Sequence, residues 1–338
     1  MTGSCSTYYA QHRETLDELL AVLGEPRHRD PASLVAWMER RWLGAEHGPG
    51  AEKPSYLHEA VMRAWPLLQR LDLVDRVEPA RRTYDEVVVL GAAGIGLYRR
   101  LGLVRSSGVS APLVSVLAGQ RPHSRLARDG DAAELLDRRG RFAAADGWTP
   151  PAELLATERR LAAEGVSPLA AAAVLFPSET DLARLHVFKH WPTLKLVRVD
   201  EQTGPQEVLN ELGPRAYVWE HYRSDDPVRE VRILNAAPVR RVGGDGGEYP
   251  ARPTSLSSLR EWAAVVAEAA PTSVTSMLFV VNQPHLTRVA LDVRRVMGEF
   301  GIEAEIDVAG CEVLRESVDI NLVLGEIPAR INADLSSS

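Results

Sequence analysis

The chain has 338 residues and carries 46 acidic against 39 basic side chains, a formal net charge of −7. It exceeds the roughly 100–200 residues of a usual single domain, so an enlarged domain or a domain with a substantial extension is expected. The charges are scattered and the basic pairs (Arg40-Arg41, Arg81-Arg82, Arg240-Arg241, Arg294-Arg295) are short, which argues against nucleic acid or an anionic membrane as a partner.

From Tyr8 to about Arg82 the apolar residues recur at helical spacing: Leu16, Leu19, Leu20, Leu23, then Leu34, Val35, Trp37, Met38, Trp42. Asp30-Pro31 is a helix start, because the acid caps and proline tolerates the first turn, while Gly44 to Gly50 reads as a loop. Another helix is predicted from about Ser55 to Leu71. After Asp85, apolar runs alternate with amphipathic helices, the sequence form of a parallel sheet with crossover helices. Strands are predicted near 86–90, 112–118, 194–199, 228–236, 274–281 and 302–308, and helices at 93–101, 151–164, 179–190, 205–212, 255–269 and 285–299. Gly119 to Pro150 is polar and rich in Arg, Asp and Gly, and reads as a substrate-covering loop or a partly disordered segment. The expected division is an N-terminal helical extension over 1–82, a Rossmann-like doubly wound α/β domain with a mainly parallel sheet over 83–325, and a tail over 326–338.

The stretch DEVVVLGAAGIG, Asp85 to Gly96, is an apolar run ending in Gly91, Gly94 and Gly96. It reads as a buried parallel strand feeding a tight turn whose glycines let backbone approach a ligand, with the N–H groups of the next helix beyond. The spacing is neither the dinucleotide G-x-G-x-x-G nor a phosphate loop. Two readings stay open: a ligand-binding turn, or glycines that only permit close strand–helix packing.

Only Cys5 and Cys311 are present, so neither a disulfide framework nor a cysteine-based zinc site can form. His186 and His190 share a helical face at zinc-ligand spacing, but the glutamate of H-E-x-x-H is missing and no third ligand is evident, so a surface pair and no metal are expected. Trp191, Trp219 and Trp262 read as core or lid anchors. No leader-like segment follows Met1 and no stretch approaches about 18 apolar residues, which predicts a cytoplasmic protein.

Four segments in order, VVLGAAG at 88–94, PLVSVLAGQR at 112–121, ATERRLAAEGV at 156–166 and LFVVNQPHLTRVALDVRRVM at 278–297, resemble the YdcF-like family of Rossmann-like domains. The resemblance covers about 85–310, and Trp219 to Arg241 followed by RPTSLSS is similar to a longer actinobacterial variant. It matches the family's polar turns to Ala118-Gly119-Gln120, Thr157-Glu158, Thr254-Ser255 and Asn282-Gln283-Pro284-His285. Gln120 stands where the family has a second glycine and Thr254 where it has asparagine. The resemblance implies an adenosyl cofactor such as S-adenosylmethionine.

In a doubly wound sheet these turns converge at the carboxyl ends of the strands. The candidate cofactor-binding residues are therefore Gly91, Gly94, Gly96, Gly119, Gln120, Arg121, Thr254, Ser255, Asn282 and Gln283, with Arg121 as an anion clamp. His285 and Glu158 are the candidate catalytic proton acceptors. The competing reading makes Thr157, Thr254 and Ser255 helix caps, His285 a first-turn polar residue and Glu158 part of a charged helix face. The functional expectation is a transferase that modifies a small molecule in actinobacterial biosynthesis. The alternatives are a non-catalytic binding subunit that holds a partner protein through its helical extension, or an envelope-maintenance protein of the same family.

Overall fold

The computed structural model describes residues 8–28, 30–43, 54–92, 95–119, 156, 159–160, 162–165, 179–203, 216–224, 230–236, 239–242, 248–251, 255–268, 274–316 and 318–335. The helices are α1 (Tyr8–Leu23), α2 (Pro31–Met38), α3 (His58–Arg70), α4 (Ile95–Ser106), α5 (Glu179–His190), α6 (Ser255–Glu268), α7 (Leu286–Glu299), α8 (Ile320–Leu324) and α9 (Ile327–Leu335). The strands are β1 (Glu86–Leu90), β2 (Leu113–Gly119), β3 (Lys195–Thr203), β4 (Ala216–Arg223), β5 (Glu230–Ala236), β6 (Val239–Val242), β7 (Glu248–Ala251), β8 (Ser276–Asn282) and β9 (Glu305–Cys311). The chain divides into two units, the first made of residues 1–77, 281–292 and 310–338, the second of 78–280 and 293–309.

In the first unit, α1 buries the stripe Leu16, Leu19, Leu20 and Leu23. It stops at Gly24, whose φ of +72° lets the N–H groups of Gly24 and Glu25 turn back onto Ala21 O and Leu20 O at 3.2 and 2.8 Å. Helix α2 begins as the sequence predicts: Asp30 Oδ1 accepts from Ser33 N at 2.8 Å and Pro31 occupies the first turn. A π-helical turn, Glu39–Leu43, carries the buried Trp42. The turn after α3 closes the helix carbonyls of Leu67, Leu68 and Gln69 with the N–H groups of Leu71, Leu73 and Asp72, and the turn's own carbonyls need partners from elsewhere. Arg330 of α9 donates to Leu71 O and Asp72 O at 2.9 and 2.8 Å, and Tyr8 Oη adds a bond to Leu71 O at 3.0 Å.

Residues 326–338, expected as a tail, contain α9. Its Ile327 and Ile331 are buried in one cluster with Leu16, Leu19, Leu34, Met38, Leu67 and Leu68. The amphipathic N-terminal helices need an apolar partner, and the C-terminal segment supplies it. The helical unit therefore draws on both ends of the chain.

The second unit carries a seven-stranded, mainly parallel sheet in the order β3-β4-β5-β2-β1-β8-β9, a Rossmann-like α/β arrangement. Strands β5, β2, β1 and β8 are mutually parallel where they pair. All five residues of β1 are buried, as a central parallel strand covered on both faces requires. Strand β4, which the sequence reading did not place, runs antiparallel to both β3 and β5. Its side chains alternate: Glu220 and Tyr222 reach Arg184 and Phe188 of α5, whereas His221 bonds Glu230 on β5. Strands β6 and β7, also unplaced by the sequence, form a separate antiparallel pair. The other strands fall within a few residues of their predicted positions. The predicted helix at 205–212 lies outside the described residues, as does the loop beyond Gly119. Of the helix at 151–164, residues 156, 159–160 and 162–163 are described and are helical.

Candidate functional site

The site begins at the carboxyl end of β1. Gly91 follows the strand directly, and a Cβ added there would fall inside 3.0 Å of both Leu117 O on β2 and a carboxylate oxygen of Glu179 on α5, with Ala118 Cα at 3.3 Å. No other residue fits. Arg100, one turn into α4 and 5 % exposed, folds its guanidinium back onto Leu90 O at 2.6 Å and Gly91 O at 2.8 Å. These charge-assisted bonds hold the strand end and the turn in place.

Around this point lies a small cleft, open to solvent and lined by Leu90, Gly91, Leu117, Gly119, Glu179, Ser255 and Ser258. Leu90 and Leu117 are register partners across the β1–β2 ladder, so the two strands end together. Glu179 and Ser255 are the first residues of α5 and α6, which both pack on β2 and β5. Glu179 and Thr180 are each 1 % exposed. Among the described residues the lining combines one buried carboxylate, two serine hydroxyls and two strand-end glycines.

Of the residues singled out from the sequence, Gly91, Gly119 and Ser255 line this cleft. Gly96 sits in the first turn of α4. Gly94, Gln120, Arg121, Glu158 and Thr254 lie outside the described residues. Asn282, Gln283 and His285 belong to the first unit. There Gln283 donates from Nε2 to Asp72 O at 3.1 Å, and Asn282 Oδ1 is buried without a hydrogen-bond partner. His285 Nδ1 lies 2.7 Å from Glu326 Oε1, and Arg288 bonds the same carboxylate at 3.1–3.2 Å. Burial pushes the Glu326 carboxyl upward, but the His285 bond and the charges of His285 and Arg288 outweigh it and hold the group below its usual range.

Sequence reasoning missed Glu179, Ser258 and Arg100. The start of α5 at Glu179 was legible as a helix boundary, yet nothing local told that its first carboxylate would lie against Gly91. His186 and His190 correct the expectation of a surface pair: both are under 8 % exposed. Their helix face turns towards α4, where the rings lie 5.5 and 5.1 Å from Tyr98 and the Lys189 ammonium stands 4.7 Å over that ring. Among the described residues no group of three potential ligands gathers to hold a metal, and no helix is long and apolar enough to cross a membrane. Trp191, Trp219 and Trp262 are at most 5 % exposed.

A second buried carboxylate lies at the opposite end of β1. Glu86 is 1 % exposed, and its Oε1 accepts from Ser115 Oγ at 2.6 Å and from Trp262 Nε1 at 2.9 Å. Burial raises its pKa, against the pull of those two bonds. It anchors α6 to the sheet and so helps set Ser255 and Ser258.

No protein-family model, no curated protein and no solved structure matches this chain.

Proposed function

We propose that this protein holds an adenosyl-type nucleotide at the carboxyl ends of β1 and β2 and acts on a small metabolite by group transfer. The observation that carries the reading is the convergence of Gly91, Gly119, Glu179, Ser255 and Ser258 on one cleft, at the strand edge where open α/β sheets take their ligands. These residues would hold the nucleotide: the glycines leave backbone accessible, the hydroxyls donate or accept, and Glu179 accepts. When bound, such a cofactor supplies the activated group. Arg100 fixes the turn, and Glu179 is the described side chain placed to accept a proton at the cleft. The YdcF-like resemblance supports the same ligand class.

Calorimetric titration with S-adenosylmethionine, adenine nucleotides and an adenosyl sulfate donor tests the proposal. Heat is expected for at least one, and silence for all refutes it. A second reading, a non-catalytic subunit docking a partner through the helical unit, is favoured by Leu57, 80 % exposed at the start of α3, and by the exposed Met62 and Leu322 of the same unit.

A further inference from the structure

We infer that the amino edge of the sheet carries a second ligand site, a clamp for one phosphate-type dianion centred on Arg223, with Lys195 and Arg232 beside it. The site lies on β3, β4 and β5, at the opposite end of the parallel strands from the cleft, and it stands independently of the function proposed above. Strand register puts its residues together. Residues directly opposite each other in neighbouring strands share a face. One row across the three strands is Lys195, Arg223 and Glu230, and the next row on that face is Arg198, His221 and Arg232. Lys195 therefore stands directly opposite Arg223, at the roughly 4.5–5.5 Å Cβ spacing of paired residues. Arg198 and Arg232 are the diagonal neighbours of Arg223, at a spacing of about 7–8 Å that side chains of this length can span. A β-bulge brings Arg198 in: the register of β3 slips by one residue between Leu196 and Arg198. Without that slip Val197 would face His221, and Arg198 would fall on the other face, opposite Glu220.

Charge does not balance on this face. Among the described residues of the two rows the carboxylate is Glu230 alone, and its Oε1 already takes His221 Nδ1 at 3.1 Å and Arg232 Nε at 2.8 Å. Against it stand four cationic side chains, in a chain whose net charge is −7. Like charges directly opposite each other destabilise a sheet, so the Lys195–Arg223 pair calls for a counter-ion. Both residues are exposed, and neither pairs with a carboxylate among the described residues. Arg232, its side chain 24 % exposed, gives Nε to Glu230 and leaves its terminal nitrogens for another acceptor. A phosphate-type dianion supplies what is missing: its oxygens take the N–H groups of a guanidinium in pairs, and an ammonium adds a point charge. Three strands by two rows span about 10 by 7 Å, the scale of one phosphate group and not of a polymer backbone.

The test is calorimetric titration with orthophosphate and with glycerol 3-phosphate at an ionic strength held constant with chloride. It uses the full chain, Arg223→Gln, Arg223→Lys and Arg294→Gln, the last removing an exposed arginine of α7 instead. Saturable binding is expected for at least one probe. Arg223→Gln should weaken it about 10–100-fold, the loss that follows removal of a hydrogen bond between charged groups, Arg223→Lys should restore part of it, and Arg294→Gln should leave it unchanged. A monoester bound at least about tenfold more tightly than orthophosphate identifies a phosphorylated small molecule as the ligand, and equal affinity identifies the free anion. The parent titration needs no variant, so it decides the matter even where a substitution impairs folding: absence of saturable binding for both probes overturns the inference. Equal weakening by Arg223→Gln and Arg294→Gln also overturns it, in favour of diffuse surface charge. Adenosine carries no phosphate, so its titration reports on the cleft alone, and silence there leaves this inference standing.

Discussion

Replacing Gly91 by alanine asks the end of β1 to hold one more carbon where two oxygens already stand. The added Cβ would lie inside 3.0 Å of Leu117 O and of the Glu179 carboxylate. The carboxylate can swing away at the expense of the cleft. Leu117 O cannot, because it belongs to the backbone of β2, which is registered residue by residue against β1 on one side and β5 on the other. Overpacking of this kind costs about 1–3 kcal/mol, and a clash with a strand backbone belongs at the upper end. At roughly 2–4 °C per kcal/mol for a unit of this size, the melting transition should fall by about 6–12 °C. Gly298→Ala is the control. Gly298 lies near the end of α7, is exposed, has negative φ and has no atom within 4 Å of the added carbon, so alanine there should be neutral or stabilise by up to about 1 kcal/mol. Differential scanning fluorimetry, followed by adenosine titration of the folded fraction, reads both effects. A Gly91→Ala protein that melts with the parent and binds adenosine equally would refute the argument that close approach forces this glycine.

Three further outcomes follow from buried or paired charges. Glu86→Ala strands the Ser115 hydroxyl and the Trp262 indole N–H, at about 1–3 kcal/mol each, whereas Glu86→Gln keeps the acceptor. Because burial raises the Glu86 pKa in the folded state, ionisation opposes folding, so urea midpoints should favour Glu86→Gln increasingly as pH rises above about 4.5; a gap that does not change with pH would contradict this. Glu230 runs the other way: the His221 bond, then Arg232, lowers its pKa to about 2. Its contribution is present in full above the unfolded value near 4.5 and is lost as pH falls towards about 2, so Glu230→Gln should flatten that part of the acid-stability profile. Arg330→Met removes both bonds to the turn after α3 and should destabilise the first unit by about 1.5–3 kcal/mol or more, with the fluorescence of Trp42 as the reporter.

Much of this fold is written locally. The apolar run 86–90 can be satisfied only by a strand buried on both faces, and it becomes the central β1. Asp30-Pro31 carries its own cap and first-turn φ, and Gly24 its own stop. Gly91 could be named as a site of close approach because a glycine after a buried strand has few other uses. Partners distant in sequence were not legible. Glu179 reaches Gly91 only because α5 packs on β2, and local periodicity records a helix face without recording its neighbour. His285 read as a proton acceptor or a first-turn polar residue, with nothing local to show its bond to Glu326, and 326–338 looked like a tail until α9 covered the N-terminal helices. Local backbone preference and periodicity determined which segments are helix or strand and where several of them stop. Long-range packing decided which side chains meet, since a contact energy depends on both partners and the sequence presents them one at a time.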